Sequence, residues 1–212
     1  MILQNYYYYF KEALSHKFCD KLIKYGISKK EELGITSNYN KKVKDNLPLL
    51  KKEIKDLKKI RNSNIVWLND RWIYDEIQPY IHQANKSAGW NFDWDWSESC
   101  QFTKYKLNQF YDWHADSFET PNNDINNKNI YGKIRKLSVT CSLSDPKDYK
   151  GGELEFDFRN NTNGNPNIRK CIEILPRGSI VVFPSFVWHR VRPVTKGTRY
   201  SLVIWNLGYP FK

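Results

Sequence analysis

The chain has 212 residues, 40% of them hydrophobic and 16% aromatic, and a formal net charge of +11. That length supports one domain with a substantial core, and the apolar content excludes a disordered chain. No apolar run approaches the ~18–20 residues that a membrane span needs, and MILQNYYYYF lacks the basic, apolar and small-residue succession of a secretory leader.

From the N-terminus the reading is helical. Ser15 is placed to cap a helix carrying Phe18, Leu22 and Ile23, closed by Gly26. Residues 41–61 hold eight lysines and one arginine against Asp45, Glu53 and Asp56, a net +6 and about half of the total charge. A Lys-rich helix after Pro48 with a solvated face is the simpler reading. A platform for an acidic macromolecule would need interleaved aromatics, which this run lacks. Asp70 is placed to cap another helix through about Ser87, with an apolar stripe at Ile73, Ile77, Tyr80, Ile81 and Ala84. His16 and His82 belong to these segments and read as surface or structural histidines.

The second half changes character. Short runs rich in Val, Ile, Phe, Tyr and Trp predict strands at 91–96, 100–107, 111–116, 134–143, 152–158, 170–174, 179–184, 187–192 and 198–206. Turn formers separate them, among them Gly151-Gly152, Asn163-Gly164-Asn165-Pro166 and Pro176-Arg177-Gly178. Many short strands with this punctuation predict a sandwich or barrel. Residues 117–133 are polar and Asn-rich and read as a long mobile loop of the kind that forms lids. Cys19, Cys100, Cys141 and Cys171 form no CxxC pair. They read as small core residues of a reducing compartment, so the expected location is cytoplasmic.

Three motifs carry chemistry. In YDWHADSF, His114 and Asp116 lie two apart, which on a strand projects both to one face. In FPSFVWHRVRPV, His189 lies on a late strand. Two histidines and a carboxylate from separate strands are the parts of a facial triad, which leaves three positions of an octahedral ion open. A closed structural zinc site needs four ligands, and no fourth is present in the pattern. In GTRYSLVIW, Arg199 and Ser201 share a face. A buried arginine there needs an anion, and its planar fork suits a carboxylate. The competing reading is a surface ion pair with Glu153, Glu155 or Asp157.

Together, His114-x-Asp116, His189 and Arg199-x-Ser201 resemble the 2-oxoglutarate/iron(II)-dependent oxygenases. The surrounding KYKLNQFYDWHAD, RKLSVTCSLSDPKDYKGGELEF and LPRGSIVVFPSFVWHRVRPVTKGTRYSLVIW are similar to the prolyl 4-hydroxylase-like branch. The resemblance covers residues 98–206. It implies a mainly β fold with N-terminal helices (α+β), a double-stranded β-helix or jelly-roll core flanked by helices. It further implies one domain over 1–212, with 1–97 as a helical support region holding the first strands and 98–212 as the catalytic core.

Carried over by residue, His114, Asp116 and His189 would bind Fe(II). Arg199 would hold the distal carboxylate of the cosubstrate 2-oxoglutarate, with Ser201 and Tyr105 assisting, and Trp205 would line the pocket. The Gly151-Gly152-Glu153 turn would be structural. Asn108 stands where the family often has glycine; asparagine tolerates the positive φ of that turn. Trp113, Phe183, Trp188 and Trp205 are candidates for an aromatic lining that excludes water, though for each alone a core position is the simpler reading.

The implied reaction uses dioxygen, with ascorbate as an optional reductant. It decarboxylates 2-oxoglutarate to succinate and carbon dioxide and hydroxylates a C–H bond, first of all on a prolyl or other residue of a protein or peptide. A free amino acid is an alternative substrate. Nucleic acid is another, but that branch carries a further arginine where this chain has Trp205. A non-catalytic jelly-roll binding module predicts a broken triad, whereas all three ligand types are present.

Overall fold

The computed structural model describes residues 3–36, 42, 47–117, 120–159 and 166–211. In chain order the elements are β1 (Tyr8–Phe10), α1 (His16–Ile27), β2 (Glu32–Leu33), α2 (Lys51–Ile60), β3 (Arg61–Asn62), β4 (Asn64–Leu68), α3 (Arg71–Ser87) and β5 (Trp96–Ser97). There follow β6 (Cys100–Tyr105), β7 (Phe110–His114), β8 (Ile134–Ser142), β9 (Tyr149–Gly151), β10 (Leu154–Asp157) and β11 (Ile168–Lys170). A 3-10 turn (Ile172–Ile174) leads into β12 (Ile180–Pro184), β13 (Trp188–Val191), β14 (Val194–Gly197) and β15 (Arg199–Gly208).

Two antiparallel sheets form the core. The larger runs β1-β12-β8-β15-β6-β4-β2, with β5 also paired to β15, and the smaller runs β11-β10-β13-β7-β3. Strands from distant parts of the chain alternate in each sheet, the winding of a double-stranded β-helix. The sheets meet through Phe156 of β10 and Phe183 of β12, whose rings lie edge to face with centroids 5.1 Å apart.

Strand alternation sorts the residues of the large sheet into two environments. Leu137, Val139 and Cys141 of β8, Leu202 and Ile204 of β15, and Cys100 and Phe102 of β6 share one core with Cys19 and Leu22 of α1 and Ile73, Ile77 and Ile81 of α3. Each large aliphatic side chain buried there contributes about 1.5–3 kcal/mol. The intervening residues (Ser138, Thr140 and Ser142; Arg199 and Ser201; Gln101, Thr103 and Tyr105) turn to the opposite face and are also buried. Helices α1 and α3 therefore cover one face of the sheet, and a polar row lines the interior between the two sheets. Gly26 allows α1 its close approach: a Cβ there would stand 2.5 Å from the Phe102 ring.

The expected fold class holds, with local differences. Ser15 caps α1, its hydroxyl accepting the Phe18 N–H at 3.1 Å. Asp70 precedes α3 but does not cap it with its side chain. Its carboxylate accepts the Tyr25 hydroxyl at 2.9 Å and ties α3 to α1. The expected strand 91–96 shrinks to Trp96–Ser97, because the Asn85 side chain binds both the N–H and the C=O of Phe92 at 2.9 Å and so replaces a ladder. The strand expected at 170–174 ends at Lys170, and the next residues coil into the 3-10 turn.

The Lys-rich helix begins at Lys51, with Glu53 accepting the Leu50 N–H at 2.8 Å; residues 41 and 43–46 of that run lie outside the described residues, as do 118–119 of the Asn-rich loop and 163–165 of an expected turn. Within that loop, the Asn122 backbone pairs with Lys133 and Gly132. All four cysteines are buried free thiols, and burial pushes those of Cys100 and Cys171 up to about 12. Among the described residues no helix is long and apolar enough to cross a membrane.

Candidate active site

His114 closes β7 and stands directly across from His189 of β13. Asp116 lies two residues beyond the end of β7 rather than within it. Its N–H and that of Ser117 both donate to the Ser185 carbonyl, at 2.8 and 2.9 Å. The turn between β12 and β13 thus positions the carboxylate beside both rings. One ligand atom from each of the three residues falls within 4.8 Å of the others.

The orientation of the donors suits one metal ion. Nδ1 of His114 donates to the Asp112 carbonyl at 2.7 Å, and Nδ1 of His189 to the Val187 carbonyl at 3.0 Å. A carbonyl only accepts, so each Nε2 keeps its lone pair and faces the carboxylate. Asp116 stands 3.7 Å from His114 Nε2 and 3.5 Å from His189 Nε2, beyond hydrogen-bond length. Ligands about 2.1 Å from one ion at right angles sit about 3 Å apart, so a small inward shift would close the site on an ion. Ser138 donates to Asp116 Oδ2 at 2.8 Å and contacts the Ser185 hydroxyl at 2.9 Å, which fixes the carboxylate plane.

Burial first, and the nearby His189 second, push the His114 imidazole down to about 3, against the opposing pull of Asp116. The ring is therefore neutral at physiological pH, the form that binds a metal. Burial raises the Asp116 carboxyl, but His189, His114 and Arg135 outweigh it and hold it below the usual carboxylate range.

Arg199 begins β15 and faces Tyr105 of β6 across the ladder. It is 3% exposed and forms no ion pair among the described residues. The acids that could have held it are engaged elsewhere: Glu153 with Lys170, Glu155 with Arg190 and Asp157 with Arg159. Its Nη1 donates to the Ser201 hydroxyl at 3.3 Å, and its guanidinium carbon lies 5.6 Å from the Tyr105 ring centroid. Gly152 leaves room for it: a Cβ there would stand 2.9 Å from Arg199 Cδ. The chemistry of this buried cation, facing neutral neighbours, suits a carboxylate.

Trp205 of β15 is 6% exposed and lies close to Asp116. The Arg135 guanidinium stacks 3.9 Å from its ring centroid, and the Trp67 ring lies 6.2 Å away. Past this pair opens a cleft of about 820 Å³ lined by Trp67, Tyr74, Trp94, Trp96, Glu98 and Arg135.

The fold brings together the residues that the motifs singled out: His114, Asp116 and His189 in one cluster, Arg199, Ser201 and Tyr105 in one adjoining row. Phe183 lines the cluster, its ring 4.8 Å from His189. Trp113 and Trp188 do not. Each neighbours a histidine in sequence and so faces the other side of the sheet, where Arg190 and Arg159 cover their rings. Asn108 does adopt a positive φ, 62°. His16 and His82 are exposed and far from the cluster in sequence; His82 stacks on Trp94. Sequence reasoning missed Ser138, Ser185, Arg135 and Arg61. The only signal for Ser138 was its parity opposite Leu137 and Val139.

Known proteins share these features. Residues 100–206, half of the chain, match the family model of the 2OG-Fe(II) oxygenase superfamily. A PKHD-type hydroxylase, YbiX of Escherichia coli O157:H7, is 37% identical over 105 residues, which cover 49% of this chain and 40% of that protein. A PKHD-type hydroxylase of Pseudomonas fluorescens is 42% identical over 70 residues, 33% of this chain and 27% of that protein. The matched region thus spans about two-fifths or less of these relatives' length. The viral collagen prolyl hydroxylase vCPH of Paramecium Bursaria Chlorella virus-1, solved with 2OG, has a TM-score of 0.62 at 21% identity and covers 97% of both chains. A prolyl hydroxylase of Trichoplax adhaerens, solved with a hypoxia inducible factor peptide, has a TM-score of 0.64 at 19% identity, covering 96% of this chain and 84% of that one. With the motifs, the jelly-roll winding and the family match in agreement, the chain belongs to the 2OG-Fe(II) oxygenase superfamily.

Proposed function

We propose that the chain is a 2-oxoglutarate- and Fe(II)-dependent dioxygenase that hydroxylates a residue of a protein or peptide, a prolyl residue first of all. The observation that carries this reading is the meeting of two receptors in one polar interior: the His114, Asp116 and His189 donors within 4.8 Å of one another, and Arg199 buried without a carboxylate partner on the neighbouring large sheet. In this reading the three donors hold Fe(II). Arg199 binds the distal carboxylate of 2-oxoglutarate, and Ser201 and Tyr105 shape the pocket around it. Bound iron supplies the activation of dioxygen that C–H hydroxylation requires.

The chain's own residues would place the reactants and keep water out. Phe183 and Trp205 wall the metal cluster, and Arg135, stacked on Trp205, also lines the aromatic cleft. Tryptophan and tyrosine rings in a groove suit an extended, proline-bearing segment, whose preformed backbone loses little entropy on docking. This supports a peptide substrate lying in the cleft with its reacting residue beside Trp205. The test is 2-oxoglutarate turnover by the iron-loaded protein against proline-rich peptides, free amino acids and methylated oligonucleotides. Stimulation by peptides alone supports the reading, and stimulation by either other class alone replaces it.

A further inference from the structure

Behind the metal cluster stands a second buried arginine with no acid partner. Arg61, at the junction of α2 and β3, is 5% exposed. Its Nε donates to Ser63 Oγ at 3.0 Å, its Nη1 to the Ile35 carbonyl at 2.8 Å and its Nη2 to Gln101 Oε1 at 2.9 Å. All three acceptors are neutral, and Arg61 forms no ion pair among the described residues. Isolating a cation in this way is costly, and a methionine of similar length would fill the space more cheaply. The use of arginine here therefore calls for a reason.

The contact that supplies one is aromatic. The guanidinium carbon lies 4.5 Å from the ring centroid of Tyr111, its cross-strand neighbour in the β3–β7 ladder. The same ring stacks on the imidazole of His114, with centroids 3.5 Å apart and planes 12° from parallel. Arg61, Tyr111 and His114 thus form one line of contact ending on a metal donor. The hydrogen bond from His114 Nδ1 to the Asp112 carbonyl fixes one edge of the imidazole. That bond alone leaves the ring free to tilt about it, whereas a face-to-face contact sets the plane. Tyr111 can set that plane only if its own ring is held, and the guanidinium, locked by three hydrogen bonds, holds it.

We propose that Arg61 is a positioning residue that acts through Tyr111 to fix the imidazole of His114 in the plane the metal requires. The proposal rests on reading His114 as a metal ligand. A purely structural role is the competing explanation, because Arg61 also pins the Gly34–Thr36 segment: a Cβ on Gly34 would stand 2.6 Å from Arg61 Nε.

Cobalt(II) binding separates the two. The affinity of the metal-free protein for Co(II) and the visible ligand-field spectrum of the loaded protein are measured for wild type, Arg61→Met, Tyr111→Leu, Tyr111→Phe and the Arg61→Met/Tyr111→Leu double variant. Tyr111→Phe keeps the ring and should match wild type. Tyr111→Leu and Arg61→Met should each weaken Co(II) binding by roughly 10- to 100-fold and alter the spectrum. The double variant should be no weaker than Tyr111→Leu alone, because one residue acts through the other. Arg61→Met with wild-type affinity and spectrum overturns the proposal, and so does a double variant whose losses add. If Arg61→Met does not fold, Tyr111→Leu decides: wild-type affinity and spectrum there overturn the proposal. Wild-type protein that binds no Co(II) would instead overturn the metal-site reading itself.

Discussion

Replacing Arg199 with methionine should move two quantities in opposite directions. The arginine is 3% exposed, its one hydrogen bond to a side chain is a long 3.3 Å contact with Ser201, and it pairs with no described carboxylate. In the ligand-free protein its charge is therefore desolvated with little compensation. Methionine of similar length removes that penalty, and replacing buried charges with well-packed apolar groups is often neutral or stabilising by about 1–4 kcal/mol. At about 2–4 °C per kcal/mol for a chain of this size, a gain of about 1–3 kcal/mol raises the melting temperature of the metal- and ligand-free protein by about 2–12 °C. In the proposed reading, the same change removes the partner of the 2-oxoglutarate distal carboxylate. Truncating one member of a buried charge pair costs about 2–5 kcal/mol, or roughly 30- to 4,000-fold in affinity. Thermal unfolding of the ligand-free variant and calorimetric titration of the manganese-loaded variant with 2-oxoglutarate measure both. Wild-type affinity for 2-oxoglutarate, or a melting temperature lowered by several degrees, would show that Arg199 has another partner.

Gly152→Ala forces a side chain onto a backbone at φ +66° and places its Cβ 2.9 Å from Arg199 Cδ. It should lower stability by about 1–2 kcal/mol and also weaken 2-oxoglutarate binding, as unfolding and titration together would reveal; loss of stability without loss of binding would separate the turn from the pocket. Ser138→Ala removes the hydroxyl that orients Asp116 and should weaken Co(II) binding by roughly 10- to 100-fold, with little change in fold by circular dichroism. In the metal-free protein, burial holds His114 at about 3, below its ordinary 6.5. The unfolded chain therefore takes up this proton first as pH falls, so the stability tied to the neutral ring is complete above about pH 6.5 and is lost progressively toward pH 3. Urea midpoints measured across that range should fall more steeply for the metal-free wild type than for His114→Gln, and equal slopes would contradict the assignment.

The jelly-roll half was legible because its strands are β-branched and aromatic and are punctuated by turn formers such as Gly151-Gly152. The N-terminal strands were not. Arg61–Asn62 follows a helix without a break, Glu32–Leu33 is two residues long, and Tyr8–Phe10 lies in a tyrosine run with no alternation. At the site, His114, Asp116, His189 and Arg199 stand out because each residue type has few uses at that spacing. The residues that hold them do not: Ser138 is one serine among many, and its partner Asp116 lies 22 positions away. Arg61 was hidden as one more cation at the end of a Lys-rich run, since nothing local shows that its side chain is buried against Tyr111. Asp70 looked like a helix cap because capping is the commonest use of aspartate before a helix; only the tertiary position of Tyr25 diverts it.

The most direct measurement is succinate production from 2-oxoglutarate by anaerobically purified, iron(II)-loaded protein on admission of oxygen, for wild type, His114→Ala and His189→Ala, with and without a proline-rich peptide. Iron-dependent succinate formation by wild type, stimulated by the peptide and absent from both variants, is the predicted result. Turnover retained by either variant, or a wild type that binds iron and 2-oxoglutarate yet forms no succinate with any substrate class, would contradict it.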